Sequence, residues 1–278
     1  MRRAILLLTA MVMALALASG VAIAQVVTCP LTGGLCVGTD NDDTLNGSAT
    51  DDDMRGLEGQ DTLNAAAGFD TLRGGRGGDT LNGEADNDTL IGQQGGDALN
   101  GGAADDTYLF GNGWGADTIS DDAALGTFGE RLSFSLVTQP ITMDLVSSPD
   151  RPEVRLVQSG ANRLNFGPKV SINEVDGSSK GDTIKGDASA DFLNGIQGND
   201  TVRGREGKDT VVGMDGKDTL GGGSGEDEFD AGGGADTIEA ADNEADTISC
   251  GGGNDIVFFD QGVNTFLNAN ACEAKRPQ

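Results

Sequence analysis

Histidine is absent from the 278 residues, and this absence excludes several classes of enzyme. Ser-His-Asp and Cys-His catalysis, HExxH zinc proteases and most histidine-containing metal sites all need an imidazole. The GxSxG motif of α/β-hydrolases does not occur either. Aromatic residues make up only 4% of the chain, against forty-five glycines, and so few large side chains cannot fill a thick globular core. A thin, stacked architecture fits this composition better.

Positive charge is also scarce. Lysine and arginine together number 18, against 45 aspartates and glutamates, and the formal net charge is −27. Nucleic acid and anionic membranes are therefore not expected as partners. Carboxylates at this density repel one another unless cations lie among them, which leaves two interpretations: a disordered acidic chain or a fold loaded with cations.

A long apolar run occurs at the N-terminus. Arg2 and Arg3 precede the apolar residues 4–18, and the small-residue sequence Ala-Ile-Ala follows at residues 22–24. This order is typical of a secretory signal peptide, residues 1–24, cleaved before Gln25. The alternative is an uncleaved anchor, since about 20 apolar residues can span a bilayer. The Ala-x-Ala ending favours cleavage, and we expect a secreted, extracellular protein without membrane insertion.

The four cysteines lie as two pairs near the two ends of the mature chain, Cys29 with Cys36 and Cys250 with Cys272. Export makes disulfide formation favourable, and of the three possible connectivities proximity favours these pairs. No neighbouring residue would make them reactive thiols, so structural disulfides are expected. Bonds at the ends suit a stacked fold, whose terminal units have exposed edges.

A nonapeptide repeat organises most of the chain. Residues 74–82 read GGRGGDTLN, with aspartate at the sixth position and an apolar residue at the eighth. The pattern recurs every nine residues in two runs. Its sixth-position aspartates are Asp43, Asp52, Asp61, Asp70, Asp79, Asp88, Asp97 and Asp106, and then Asp182, Asp191, Asp200, Asp209, Asp218, Asp227 and Asp236. After Asp236 the register slips by one residue to Asp246 and resumes at Asp255.

Each repeat predicts a short strand and a glycine-rich turn. In Thr80-Leu81-Asn82 the middle side chain points to one face and its neighbours to the other. Nine residues are too few for a coil that contributes to two sheets, so two repeats, eighteen residues, should complete one turn. Asp43 and Asp61 then lie along one edge of the stack, and Asp52 and Asp70 along the other.

Stacking brings these carboxylates together. Coils lie about 4.8 Å apart, and two bare carboxylates near 5 Å repel by about 3 kcal/mol at an effective dielectric of about 20. A divalent cation between coils would reverse this repulsion, and oxygen ligands favour calcium. A single such aspartate would be interpreted as a turn cap, but fifteen in register favour a ligand ladder. One ion between aspartates two repeats apart gives about eleven sites, so multiple calcium ions are expected.

The motif GGxGxDxUx resembles the hemolysin-type calcium-binding nonapeptide of the RTX (repeats-in-toxin) family, over roughly three quarters of the chain. The resemblance implies an all-β fold, a right-handed parallel β-roll or β-helix solenoid, with calcium between turns bound by aspartate side chains and turn carbonyls. The matching ligand positions are the aspartates of the two runs, with Asp246 and Asp255. Some copies depart from the motif: Asn41, Thr50, Asp86, Ala104, Lys180 and Ser189 replace the fourth-position glycine.

The domain organisation follows from the repeats. We expect an N-terminal cap with a disulfide over residues 25–37 and a first repeat block over 38–119. A second block covers 173–258, and a C-terminal cap covers 259–278. Between the blocks, alternating apolar residues predict a β-strand spacer over 120–172. We interpret it as a wider coil of the same solenoid, with a small independent β domain as the alternative.

The function predicted from these features is that of a secreted, non-enzymatic calcium-binding roll that folds outside the cell. A structural or adhesive role, with an unknown cell-surface or matrix partner, is the leading hypothesis. The alternative is a calcium-dependent enzyme that acts on polysaccharide, or its accessory module, with Asp144, Asp150, Arg151, Glu153 and Arg155 as the unusual charged cluster outside the repeats. A pore-forming toxin would need a further long apolar segment.

Overall fold

The computed structural model describes residues 24–120, 129–145, 155–159, 162–167, 170–267, 272 and 274–277, of which 155–159 and 274–277 are described by their backbone. Nearly all of the predicted signal peptide lies outside these residues. The described residues form no helix, and so none that is long and apolar enough to cross a membrane.

The strands, in chain order, are β1 (Val26–Thr28), β2 (Gly34–Val37), β3 (Thr44–Asn46), β4 (Asp52–Glu58), β5 (Thr62–Ala67), β6 (Thr71–Arg76), β7 (Thr80–Ala85), β8 (Thr89–Gln94), β9 (Ala98–Ala103), β10 (Thr107–Gly111), β11 (Ala116–Ser120), β12 (Glu130–Leu136), β13 (Thr142–Asp144), β14 (Arg155–Ser159), β15 (Asn162–Phe166), β16 (Ile172–Asp176), β17 (Thr183–Lys185), β18 (Phe192–Asn194), β19 (Thr201–Glu206), β20 (Thr210–Val212), β21 (Thr219–Ser224), β22 (Glu228–Asp230), β23 (Gly233–Gly234), β24 (Thr237–Ala240), β25 (Thr247–Ser249), β26 (Gly252–Gly253), β27 (Ile256–Phe259), β28 (Thr265–Phe266) and β29 (Ala274–Pro277).

Two long sheets run side by side along the molecule. Sheet A holds fifteen strands in the order β1-β3-β5-β7-β9-β11-β15-β14-β13-β17-β19-β21-β24-β27-β29, and sheet B holds twelve in the order β2-β4-β6-β8-β10-β12-β16-β18-β20-β22-β25-β28. Strands β23 and β26 form a small third sheet. Thr44 pairs with Thr62 and Thr62 with Thr80, a step of eighteen residues. The fold is therefore the predicted parallel β-solenoid, with two repeats to each turn.

The apolar residue of each repeat fills a narrow core between the sheets. Leu63 and Leu81 point inward from sheet A and Leu72 and Leu90 from sheet B, and all four are fully buried. The glycine-rich turns allow the tight stacking. Gly77 has a φ of 135°, a backbone conformation that residues with a side chain rarely adopt. A Cβ atom at this position would collide with a carbonyl oxygen of the preceding coil.

The spacer continues both sheets. In sheet B, strands β12 and β16 pair in parallel with each other and connect the strands of the two repeat blocks. In sheet A, β14 inserts between β13 and β15 and pairs antiparallel to both. The core widens here to hold an aromatic cluster, in which Phe110 stacks on Phe134 at 4.9 Å and Trp114 lies 5.7 Å from Phe110. The predicted wider coil therefore belongs to the same solenoid.

Disulfide bonds close the two ends as proximity suggested. Cys29 is bonded to Cys36 and Cys250 to Cys272, with Cα–Cα distances of 5.3 and 5.4 Å. All four cysteines are buried against the terminal coils. Each bond therefore holds a chain segment onto the end of the stack.

Candidate metal centre

The predicted ligand aspartates line the two long edges of the solenoid. Each one immediately precedes, or begins, the strand that its repeat contributes to a sheet. The edge that leads into sheet A holds Asp43, Asp61, Asp79, Asp97, Asp182, Asp200, Asp218, Asp236 and Asp255. The edge that leads into sheet B holds Asp52, Asp70, Asp88, Asp106, Asp191, Asp209, Asp227 and Asp246. All seventeen are at most 3% exposed, so the structure buries a ladder of carboxyl groups along each edge.

Successive aspartates of a ladder contact each other through the main chain. The amide of Asp61 donates a hydrogen bond of 2.8 Å to Oδ1 of Asp79, and the amide of Asp79 donates one of 2.9 Å to Oδ1 of Asp97. The same bond recurs in the second block, where the amide of Asp200 donates to Oδ1 of Asp218 at 2.8 Å. These bonds orient each carboxyl group, with Oδ1 turned toward the preceding coil.

The second carboxylate oxygen is buried without a hydrogen-bond donor among the described residues. This is true of Oδ2 in Asp61, Asp70, Asp79, Asp88, Asp97, Asp200, Asp209, Asp218, Asp236 and Asp255. A buried acceptor without a partner costs about 1–3 kcal/mol, and more when it is charged. Each of these ten described oxygens is therefore a position where a cation or a proton would compensate the buried charge.

A turn carbonyl shares the space around this oxygen. At Gly83, the first glycine of its repeat, a Cβ atom would lie closer than 3.0 Å both to Oδ2 of Asp88 and to the carbonyl oxygen of Gly101. The corresponding points at Gly56 and Gly204 also meet one carboxylate oxygen and one carbonyl oxygen. Carboxylate and carbonyl oxygens are the ligands that calcium prefers. The donor set and the space kept by the glycine therefore fit calcium.

Burial changes the protonation of these groups. Desolvation raises the pKa of Asp79 to about 6 and that of Asp88 to about 7, although the amide bond to each carboxylate acts in the opposite direction. Neighbouring ladder carboxylates raise both values further. Without a cation, the fold therefore favours the protonated form of side chains that calcium would bind as carboxylates.

Two ladder residues escaped sequence reasoning. The amide of Asp97 donates to Oδ1 of Asp117 at 3.0 Å, and the amide of Asp106 donates to Oε2 of Glu130 at 3.0 Å. Both acidic residues are fully buried, and desolvation raises the pKa of Asp117 to about 8. Their steps of twenty and twenty-four residues break the eighteen-residue spacing. The Asp-x-apolar pattern of residues 117–119 was the available signal for the first.

Asp242 is a third residue that the repeat spacing did not indicate. One carboxylate oxygen from each of Asp227, Asp242 and Asp246 lies within 4.8 Å of the others. Asp242 lies in the turn before Asp246, where the register slips. This turn is one residue longer than the turns of the regular copies. The longer turn adds a third side chain to this part of the ladder.

Within the part of the chain that the structure describes, the charged cluster outside the repeats does not form an active site. Asp144 makes ion pairs with Arg205 and, at 3.9 Å, with Lys185, which link the spacer to the second block. Asp150, Arg151 and Glu153 lie outside the described residues, as does the side chain of Arg155. Asp144 is thus placed in a contact between coils.

Comparison with protein families agrees with this geometry. The family model described as the RTX calcium-binding nonapeptide repeat (4 copies) matches residues 37–72, 73–108, 176–211, 203–238 and 240–266. Comparison with curated protein sequences found no match. The matched segments cover more than half of the chain and contain all seventeen ladder aspartates. The chain therefore belongs to the RTX calcium-binding nonapeptide repeat family.

Proposed function

We propose that this protein is a secreted β-roll that completes its fold outside the cell by binding multiple calcium ions along its two edges. The observation that carries the proposal is the column of buried aspartate Oδ2 atoms, each without a described donor and several of them beside a turn carbonyl. Protein donors satisfy Oδ1 of the same carboxylates. A cation is the partner that the remaining oxygens require.

The residues that would hold calcium are the ladder aspartates and the carbonyl groups of the glycine-rich turns. Bound calcium supplies positive charge between coils that would otherwise repel. The chain itself positions the oxygens: the amide of one coil orients the carboxylate of the next. Where the first position is glycine, as at Gly56 and Gly83, it keeps the space beside Oδ2 free. Asp117 and Glu130 extend the proposed ligand set into the spacer.

Calcium would couple folding to location. An ion that binds the stacked coils but not the unfolded chain stabilises the fold by mass action, and extracellular calcium modules bind at about 10⁻⁴ to 10⁻³ M. The N-terminal signal sequence and the two disulfides support export. The chain would then remain loosely folded at the low calcium concentration of a cytoplasm.

A structural or adhesive role fits the outer face of the roll. On sheet A, Asn64 donates to Asn46 at 3.1 Å and Asn82 donates to Asn64 at 2.8 Å, beside a row of threonines. This polar ladder makes a regular, rigid surface of the kind that a matrix or cell-surface partner could contact. The proposed domains keep the boundaries given above, with caps at 25–37 and 259–278 around two calcium-binding blocks and the spacer.

Equilibrium dialysis tests the binding proposal. The mature protein, dialysed against millimolar calcium with excess magnesium, should retain several calcium ions per chain. A protein that has both disulfides formed and retains no calcium would contradict the proposal. Export is tested separately. The full-length chain, expressed in a secreting host, should appear in the medium with Gln25 as its N-terminal residue, and retention in the membrane fraction with residues 1–24 attached would contradict the secretory assignment.

A further inference from the structure

Among the hydrogen bonds described for the ladders, three aspartates stand apart, because protein groups donate to both of their carboxylate oxygens. They are Asp43, which opens the first block, Asp182, which opens the second, and Asp246, next to the C-terminal end of the sheet B edge. The significance of this difference rests on the calcium proposal above.

At Asp43, the donors come from Thr39 and Gln25. The amide and the hydroxyl of Thr39 donate to Oδ2 at 2.5 and 2.8 Å, and the amide of Gln25 donates to Oδ1 at 2.7 Å. Thr39 stands at the second position of its repeat, where Gly75 stands in the regular copy at residues 74–82. One threonine thus satisfies the oxygen that has no described donor in the interior copies.

Asp182 repeats this arrangement at the start of the second block. The amide of Ser178 donates to Oδ2 at 2.6 Å and its hydroxyl to Oδ1 at 2.9 Å, while the amide of Ile141 donates to Oδ1 at 2.7 Å. Ser178 also occupies the second position of its repeat. The two blocks therefore begin with the same device, although the sequences that precede them are unrelated.

At the other end, Asn264 takes the ladder position after Asp246. Its Nδ2 donates to Oδ2 of Asp246 at 2.7 Å and to the carbonyl oxygen of Ala240 at 3.0 Å, and its Oδ1 accepts from the amide of Asp260 at 3.0 Å. The amide nitrogen thus lies between one carboxylate oxygen and one turn carbonyl. Elsewhere in the ladders, that pair of ligands is proposed to hold calcium.

We infer that Thr39, Ser178 and Asn264 are caps whose protein donors replace the cation, so that calcium is confined to the coils between them. The caps satisfy the terminal carboxylates where a further coil is not available to complete a site. They also allow the ends of the ladders to form without calcium, which the interior copies do not.

Converting a cap into a ligand tests this inference. Asn264→Asp keeps the size of the side chain but replaces the Nδ2 donor with a carboxylate oxygen facing Asp246. We expect the folded mature protein to bind one more calcium ion than the wild type by native mass spectrometry, and to show less β signal than the wild type in chelator. Asn112→Asp is the matched control, because Asn112 is exposed and uses only Oδ1, as an acceptor from Thr138.

An unchanged calcium count in Asn264→Asp would overturn the inference, and so would a variant that stays unfolded in saturating calcium, because calcium must rescue it. The second variant, Ser178→Gly with Lys180→Gly, removes the hydroxyl donor and restores the two glycines that have positive φ in the regular copy, as at Gly75 and Gly77. With that turn conformation the amide of residue 178 should no longer face Oδ2 of Asp182, and the variant should also gain one ion. Lys180→Gly alone retains the Ser178 donors and should gain none. A wild type that binds no calcium would refute the proposed function, whereas a wild type that binds calcium with no gain in either variant refutes only the caps.

Discussion

The main-chain amide of Asp79 donates to Oδ1 of Asp97, one coil away, and leaves Oδ2 of Asp97 buried without a described donor. This contact includes one favourable and one unfavourable interaction between neighbouring coils. The amide bond fixes the spacing of the coils, and the remaining oxygen makes that spacing unfavourable in the absence of positive charge. The stability of the fold should therefore depend on what stands beside Oδ2.

Substitution of an interior ladder residue should separate these effects. Asp79→Asn keeps an oxygen to accept from the amide of Asp61 but removes a proposed ligand. A site at calcium one hundred times its Kd contributes about 2.7 kcal/mol, so its loss should lower Tm by about 5–10 °C in saturating calcium. In chelator, where the roll is loosely folded, the same variant should show at least as much β signal by circular dichroism as the wild type, because a repelling carboxylate is gone.

Asp40→Asn is the control for this experiment, since Asp40 is exposed and lies outside the ladders. It removes the same charge and should leave the melting temperature in calcium within about 2 °C of the wild type and the β signal in chelator unchanged. Equal losses for the two variants in calcium would contradict a ligand role for Asp79.

The glycine at the first position of the repeat should affect calcium binding through the space that it leaves beside Oδ2, and not through its backbone conformation. A Cβ at Gly74 would lie closer than 3.0 Å to Oδ2 of Asp79, and Gly74 does not have a positive φ. Gly74→Ala should therefore displace the carboxylate and cost about 1–3 kcal/mol in calcium-saturated unfolding. Gly111→Ala is the matched control, because nothing lies within 4 Å of its Cβ position. A Gly74 variant as stable as the Gly111 variant would refute the role assigned to this space.

Without calcium, acid should stabilise the roll. Burial raises the pKa of Asp79 to about 6, of Asp88 to about 7 and of Asp117 to about 8, from the ordinary value of 3.8. Between 3.8 and these values the folded chain binds more protons than the unfolded chain, so the free energy of unfolding falls as pH rises. In chelator we expect a higher Tm at pH 5 than at pH 7.5. A Tm that rises over this interval would contradict the buried, uncompensated ladders.

Protons and calcium should also compete. Because calcium binds the deprotonated carboxylates, the apparent Kd of the folded roll for calcium should increase as pH falls from 7.5 to 5.5. Isothermal titration calorimetry in buffers of different ionisation enthalpy measures the protons released. A release of zero protons at pH 6 would show that the raised pKa values do not belong to the ligand groups.

The two disulfides should differ in their contribution to stability. The bond between Cys250 and Cys272 closes 22 residues, and that between Cys29 and Cys36 closes seven. Loop-closure entropy gives about 3 kcal/mol for the first and about 2 kcal/mol for the second. Paired serine substitutions, unfolded by denaturant in saturating calcium, should lose stability in that order. The reverse order would show that end packing, rather than chain entropy, decides the effect.

Much of this structure could be predicted from period and chemistry alone. The nine-residue repeat predicted the eighteen-residue coil, the two sheets and the two aspartate edges, and the structure confirms the parallel solenoid and both disulfides. A strict period could not reveal Asp117 or Glu130, because they follow their ladder neighbours Asp97 and Asp106 by 20 and 24 residues rather than by eighteen.

The remaining features depend on the direction of a strand or the orientation of a side chain, and residue spacing specifies neither. The antiparallel strand β14 follows from how the spacer turns back on itself, which alternating apolar residues do not specify. The cap at Asn264 depends on which way its amide faces. Asn264 follows Asp246 by eighteen residues, the ladder spacing, but only its contacts with Asp246 and Ala240 show a donor there.

A calcium titration of residues 25–278, followed by far-UV circular dichroism, tests the central claim most directly. Magnesium at the same concentrations is the control, because its smaller ion demands a stricter octahedral geometry. The account predicts a cooperative gain of β signal near millimolar calcium at pH 7.5, and little change with magnesium. A chain that is already fully folded in chelator at this pH would contradict it, because the buried aspartates would then need no cation.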